Sequence, residues 1–213
     1  MLESKVIHIM GYSGHAFIVI DTALDSGFEV KSYFDKAKSF LNPYGLVYQG
    51  YEKEIDLKAV LASDIVFPAV GSNNLRKEMI KLIEQHNLNQ CFLVNPSAKV
   101  SSKAQLGTSV LVGPNAIINS LAIIGKGSIV NSGAIVEHEC EVGPFSHIAP
   151  GSVLAGNVRV GSNVFVGANS TIKQGIHIGD NAIIGAGSVV IKDVPRGEIW
   201  VGNPAKKMKV NEE

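Results

Sequence analysis

Residues 130–154 read VNSGAIVEHECEVGPFSHIAPGSVL, and every sixth residue among them is a branched aliphatic: Val130, Val136, Val142, Ile148 and Leu154. The same step upstream meets Val94, Val100, Leu106, Val112, Ile118 and Ile124, and downstream Val160, Val166, Ile172, Ile178, Ile184 and Val190. All seventeen positions are Val, Ile or Leu. Four residues after them, sixteen of seventeen are Ala, Ser, Val or Cys, with Ile176 the exception, and one residue after them Gly recurs eight times. A fixed period sustained over this length marks a stacked repeat.

The period has a direct physical reading. A unit of six with one branched apolar and one small residue fits a short strand followed by a corner. The large residue fills the interior, the small one sits where the wall bends, and glycine helps to form the corner. Three such faces close a triangular coil, so seventeen units predict between five and six coils. At roughly 4.8 Å per coil the prism is about 27 Å long. No insertion breaks the register from Val94 to Val190, so no large loop is expected to project from it.

Residues 1–92 follow another rule. KVIHIM (5–10), EVKSYFDK (29–36) and DIVFPAVG (64–71) read as strands, and FIVIDTAL (17–24) and NLRKEMIKLIEQH (74–86) as helices. This alternation predicts a small, mostly parallel α/β sheet. Ligands bind such sheets beyond the carboxyl ends of the strands. The turn GYSGHA (11–16), the pair Asp35-Lys36 and the segment VGSNN (70–74) occupy those ends. They make a candidate nucleotide site, with Asp35 placed to accept hydrogen bonds from a base or ribose. The expected division is a 1–92 α/β domain and a 93–213 prism with a C-terminal tail.

Composition narrows the partners. Nineteen basic and nineteen acidic residues give a formal charge of zero, so no basic face for nucleic acid or anionic membrane is expected. No apolar run approaches the length of a membrane span, and no signal peptide is evident at the N-terminus. Two cysteines, Cys91 and Cys140, make no disulfide framework and fit a reducing cytoplasm.

Within the hexad register, Val136 begins a unit, so His138 and Glu139 fall at an outer corner and Cys140 on the small inward position. Cys140 therefore reads as a wall residue. The repeat requires neither His138 nor His147, which lies on the outward part of a face. Zinc between subunits would call for a tight histidine pair, as in the γ-class carbonic anhydrases, whereas His138, His147 and His177 are spaced by nine and thirty, so no metal is expected. A neutral imidazole at His138 can take a proton near pH 7, with Glu139, or else Glu137, holding its tautomer and Asn131 on a neighbouring face helping to orient it.

NSGAIVEHECEVGPFSHIAPGSVLAGNVRVG (131–161), with GYSGHA upstream and GAGSVVIKDVP and VGNPAKKM downstream, resembles the bacterial nucleotide-sugar N-acetyltransferases. UDP-N-acetylbacillosamine N-acetyltransferases are the nearest type, and sialic acid O-acetyltransferases share the pattern. The resemblance covers essentially the whole chain. It implies a left-handed parallel β-helix behind a small Rossmann-like sheet, a homotrimer, and acetyl-CoA as co-substrate.

The resemblance also assigns roles. It implies His138 as catalytic base, Glu139 as the acid that raises its basicity, and Asn131 as an active-site asparagine. His147 would contact the thioester or pantetheine of acetyl-CoA, whose groove would be lined by main-chain groups at Gly156, Ala168 and Ala186. Ser13, Gly14, His15, Asp35, Lys36, Val70 and Gly71 would hold the nucleotide of a nucleotide-linked amino-sugar. Tyr12 and Lys36 depart from the pattern, standing where a small residue and a second acid are common. The expected reaction is direct acetyl transfer in a ternary complex, with Lys206 and Lys207 near the phosphates of CoA. The alternatives are a sugar O-acetyltransferase of the sialic acid type and a non-catalytic nucleotide-sugar-binding scaffold.

Overall fold

The computed structural model describes residues 5–210. Strand β1 (Val6–Met10), helix α1 (Gly14–Asp25), β2 (Glu29–Phe34), β3 (Val47–Tyr48), α2 (Leu57–Leu61), β4 (Ile65–Pro68) and α3 (Asn73–Gln85) come first. The four strands form one parallel sheet in the order β3-β2-β1-β4. Helix α1 buries Ala16, Val19, Ile20 and Ala23 against it. This helix starts three residues earlier than the sequence pattern implies, because only Gly11 of the two turn glycines is needed as a glycine. Gly11 has φ +89°, and a Cβ there would run into Val70 Cγ1. Gly14 has open space around it and simply opens the helix. Strand β3 and helix α2, of two and five residues, are too short for periodicity to reveal.

Seventeen two-residue strands follow, from Leu93–Val94 to Val189–Val190. Each of the first fourteen pairs in parallel with the strand eighteen residues on, so three hexads make one coil and the strands stack into three flat faces. Face one carries Ile129–Val130 and His147–Ile148, face two carries Ile135–Val136, and face three carries Glu141–Val142. The second residue of each strand points inward, and Val130, Val136, Val142 and Ile148 belong to one buried core with Cys140.

The corners work differently from the expectation based on glycine. Positive φ falls on the fourth residue of the unit, where Asn115, Leu121, Gly133, Glu139, Phe145 and Asn157 all stand in the left-handed region. The recurrent glycine is the second residue, and it is needed for close approach between coils. A Cβ on Gly143 would lie 2.5 Å from the carbonyl carbon of Gly161. The small fifth residue also does more than fit. The hydroxyls of Ser128, Ser146, Ser152 and Ser170 donate to the carbonyls of Gly143, Gly161, Gly167 and Gly185 at 2.7–2.9 Å, satisfying groups that the turns leave over.

The α/β layer sits on face one. Leu93, Leu111 and Ile129 point outward from that face and are buried against the core of the sheet and α1. Truncating one of them, as in Ile129→Ala, would cost about 2–5 kcal/mol. Arg76 of α3 pins the junction. It is 1% exposed and donates to Gly127 O at 2.6 Å and Phe145 O at 2.9 Å on the prism, and to Val70 O and Gly71 O on its own side. Below Ile183–Ile184 the chain adds Glu198–Gly202 to face one and returns in antiparallel as Ala205–Val210.

Candidate active site

His138 stands at the edge between faces two and three, after the strand Ile135–Val136 and before Glu141–Val142. Its side chain is half exposed, and Nδ1 lies 3.1 Å from Glu139 Oε2. A carboxylate only accepts, so Nδ1 carries the hydrogen in this contact, and in a neutral ring the lone pair is then on Nε2. Glu139 reaches the ring because it occupies the left-handed corner position, with φ +61°. Glu137 points elsewhere: its Oε2 accepts from Asn119 Nδ2 at 2.9 Å and from the His138 N–H at 3.4 Å. Of the two flanking acids, only Glu139 meets the imidazole.

One coil below, Gly156 occupies the same edge, and the His138 ring lies over its α-carbon. Ala168 and Ala186 follow face-one strands and so stand on the edge between faces one and two. The three positions expected to line one groove are therefore on two different edges of this chain.

His147 lies on face one, across the buried core from His138. The α/β layer covers it to 7% exposure. Its Nδ1 donates to Gly71 O at 3.3 Å, and its Nε2 faces Asn131 Nδ2 at 3.1 Å. Burial, then the Arg76 charge and the neighbouring His15 ring, push its pKa down to about 3, so the ring is neutral. Asn131 was expected to orient His138, but its hydrogen bonds go to His147 and to Ser132 N. The reason is geometric, since a step of seven residues crosses face two to the next edge.

The strand ends do gather. Ser13 is the N-cap of α1 in an extended conformation with its hydroxyl free of any cap bond, so the helix opens at Gly14 and His15, the kind of end whose N–H groups favour anions. Asp35 ties this turn to β2, accepting from Tyr12 N at 2.8 Å and Lys36 N at 2.7 Å. Tyr12 does not block the turn: its ring stacks on Tyr33 at 4.1 Å and its hydroxyl donates to Asn42. His15 approaches Gly71 and lies 6.0 Å from the His147 ring. Its pKa falls to about 4, chiefly through burial and then through Arg76. Beside Gly71, a cavity of about 350 Å³ opens between the α3 N-terminus (Ser72, Asn73, Asn74) and Phe165 and Ile183 of face one. The structure thus joins Ser13, Gly14, His15, Val70, Gly71 and His147 on one side of the molecule, and sets His138, Glu139 and Gly156 on the other.

Sequence reasoning missed Arg76, whose signal was its position seven, four and three residues before the buried Ile83, Ile80 and Met79. It also missed Glu52, which is buried beyond the end of β3 with Oε2 unpartnered and its pKa raised by burial. Cys140 is no nucleophile: burial raises its thiol pKa, and Sγ donates to Ala155 O. His138, His147 and His177 lie on an edge, on face one and on face three.

The model of the PglD N-terminal domain matches residues 6–83, and that of the hexapeptide repeat of succinyl-transferase matches residues 157–192. A variant of perosamine N-acetyltransferase from Caulobacter crescentus, solved with CoA and GDP-perosamine, superposes with a TM-score of 0.90 at 32% identity, over 95% of this chain and 96% of its own. The chain belongs to the hexapeptide-repeat nucleotide-sugar N-acetyltransferases. This acyltransferase has the left-handed parallel β-helix of that superfamily. The acetyltransferase domain of PglB from Neisseria gonorrhoeae, solved with acetyl coenzyme A, matches this N-acetyltransferase over 96% of its chain and 100% of the other, at 27% identity and a TM-score of 0.88. The search of curated proteins found no match.

Proposed function

We propose that the protein transfers the acetyl group of acetyl-CoA to the amino group of a nucleotide-linked 4-amino-sugar. Residues 1–92 hold the nucleotide and residues 93–213 carry out the transfer. The observation that carries this reading is the His138 imidazole, half exposed at the prism edge with its tautomer set by Glu139. The neutral amine attacks the thioester carbonyl, and Nε2 takes its proton as the nitrogen–carbon bond forms. When the carbon–sulfur bond breaks, the proton passes to the departing CoA thiolate. The main-chain N–H of Gly156, one coil from His138 on the same edge, suits the oxyanion. Such a donor typically supplies ~3 kcal/mol. The similarity to enzymes solved with CoA and with GDP-perosamine supports both substrates.

The reading includes a homotrimer. His138 and the nucleotide end of one chain face opposite directions, so one chain presents its base to the sugar held by the next. Face two supports this, since its outward residues Ile117, Ile135 and Val153 run as consecutive, only partly buried apolar positions, with Val189 beyond Thr171. Gly156 from one subunit and Ala168 and Ala186 from its neighbour would then line a shared acetyl-CoA groove. Lys207 is held by Glu198 at 2.6 Å, which leaves Lys206 for the CoA phosphates. Among the described residues no helix is long and apolar enough to cross a membrane, and both cysteines are free, which fits a cytoplasmic enzyme.

The test is thiol release from acetyl-CoA with a panel of UDP-, GDP- and dTDP-linked 4-amino-sugars, the matching hydroxy-sugars and free sialic acid. Release with an amino-sugar nucleotide alone is expected. Release only with a hydroxyl acceptor would assign O-acetylation instead, and no release with any acceptor would sink the enzymatic reading.

A further inference from the structure

Gly156 is a glycine for neither of the reasons that account for the other wall glycines. Its φ lies outside the left-handed region, so the backbone does not demand it. The second-position glycines such as Gly143, Gly161 and Gly167 are hemmed in by atoms of the next coil. Around Gly156 the nearest atoms all belong to one side chain. A Cβ there would lie 2.6 Å from His138 Cε1, 2.7 Å from Nε2 and 3.3 Å from Nδ1. The residues at the same corner position in the other coils of this edge are Ser102, Ser120, His138 itself, Gln174 and Lys192, so the position tolerates side chains elsewhere on the prism.

We propose that Gly156 is a positioning residue: the absence of its Cβ makes the slot in which the His138 imidazole lies, with Nδ1 on Glu139 and the Cε1–Nε2 side of the ring over Gly156. The inference rests on His138 being the base, and goes beyond that reading by assigning how the ring is held. A methyl group at 156 needs a shift of the ring and not of the wall, because His138 is half exposed and free to turn. The cost should therefore appear in the chemistry and hardly in stability. An ångström of misplacement at a reacting group can cost about a hundredfold in rate.

Gly156→Ala is the variant of choice, because it keeps the main-chain N–H and adds only the Cβ. It should lower kcat by roughly 10- to 100-fold while leaving KM for acetyl-CoA and for the nucleotide-sugar nearly unchanged. The deciding measurement is the double-mutant cycle with His138→Ala. Once the ring is gone the added methyl has nothing to displace, so Gly156→Ala should have almost no further effect on the residual rate. If Gly156→Ala lowers the melting temperature, His138→Ala should restore it for the same reason. Wild-type kcat in Gly156→Ala, an equal fractional loss in the His138→Ala background, or a melting loss that His138→Ala leaves in place would each overturn the proposal. His138→Ala alone tests the underlying reading, so failure of the base assignment is distinguishable from failure of the slot.

Discussion

His138 and His147 lie nine residues apart in sequence and on opposite sides of the prism, one on an open edge and the other under the α/β layer. The separation follows from the period, because half a coil of nine residues carries the chain from one edge across to the facing wall. Two histidines that look like one motif therefore do not meet within one chain.

Mixed trimers should reveal this. His138→Ala removes the base, and Gly14→Trp fills the N-terminus of α1 where the nucleotide phosphates are expected. Each variant alone should keep about a hundredth of wild-type activity or less. Co-expressed with separate tags and purified through both, they should recover about one third of wild-type activity, since either mixed composition leaves one of the three composite sites with both halves intact. No recovery in verified mixed trimers would place the whole site within one chain.

The two glutamates beside His138 should separate cleanly. His138→Ala is expected to lose about 10²–10⁴ in kcat, the usual contribution of a positioned base. Glu139→Ala should lose less than that but clearly fall, because the ring then has no acceptor to fix its tautomer. Glu137→Ala should stay close to wild type, since its carboxylate serves Asn119 and the main chain. Steady-state kinetics with equal losses for both glutamates would contradict the geometry.

The prism was legible because seventeen repetitions of one rule outweigh any local ambiguity, and the corner placement of His138 and Glu139 followed from counting within it. The reason for a glycine was not legible. Gly11, Gly143 and Gly156 are the same letter, yet one serves a positive φ and a tight approach, one a coil-to-coil contact and one a histidine ring. Asn131 was misplaced because sequence distance along a coil does not state which edge a residue lands on. Arg76 was hidden because a charged residue in a helical stripe reads as solvent-facing unless its acceptors on Gly127 and Phe145 are known.

Acid should destabilise the fold through its buried histidines. Burial lowers the pKa of His15 to about 4 and of His147 to about 3, against 6.5 when unfolded. A lowered folded pKa means that the unfolded chain binds the proton more readily. The stabilisation is therefore complete above pH 6.5 and is lost as pH falls toward 4 and 3. By pH 5 the loss should be about 2 kcal/mol for each ring. Urea midpoints measured from pH 7.5 to 4.5 should fall accordingly, and His147→Gln should flatten the slope. A wild-type midpoint constant over that range would mean the rings are solvated.

Arg76 should prove to have two separable roles. As a hydrogen-bond donor it joins the layers: Arg76→Leu would leave Gly127 O and Phe145 O without partners, at ~1–3 kcal/mol each. Part of that is offset, because a buried guanidinium without a carboxylate carries a desolvation cost that leucine lacks. Burial accordingly lowers the pKa of Arg76 to about 9, which still leaves it charged at neutral pH. As a charge it also helps to hold His15 and His147 neutral, so in Arg76→Leu both rings should titrate at higher pH, while burial alone still keeps them below 6.5. Arg76→Lys divides the two roles. It keeps the charge and loses the planar fork, so the interface should weaken while both histidines remain neutral into the acid range. Histidine titrations followed by NMR, beside thermal melts of the same variants, give the two readouts. Titration curves unchanged in Arg76→Leu would limit Arg76 to a purely structural clamp.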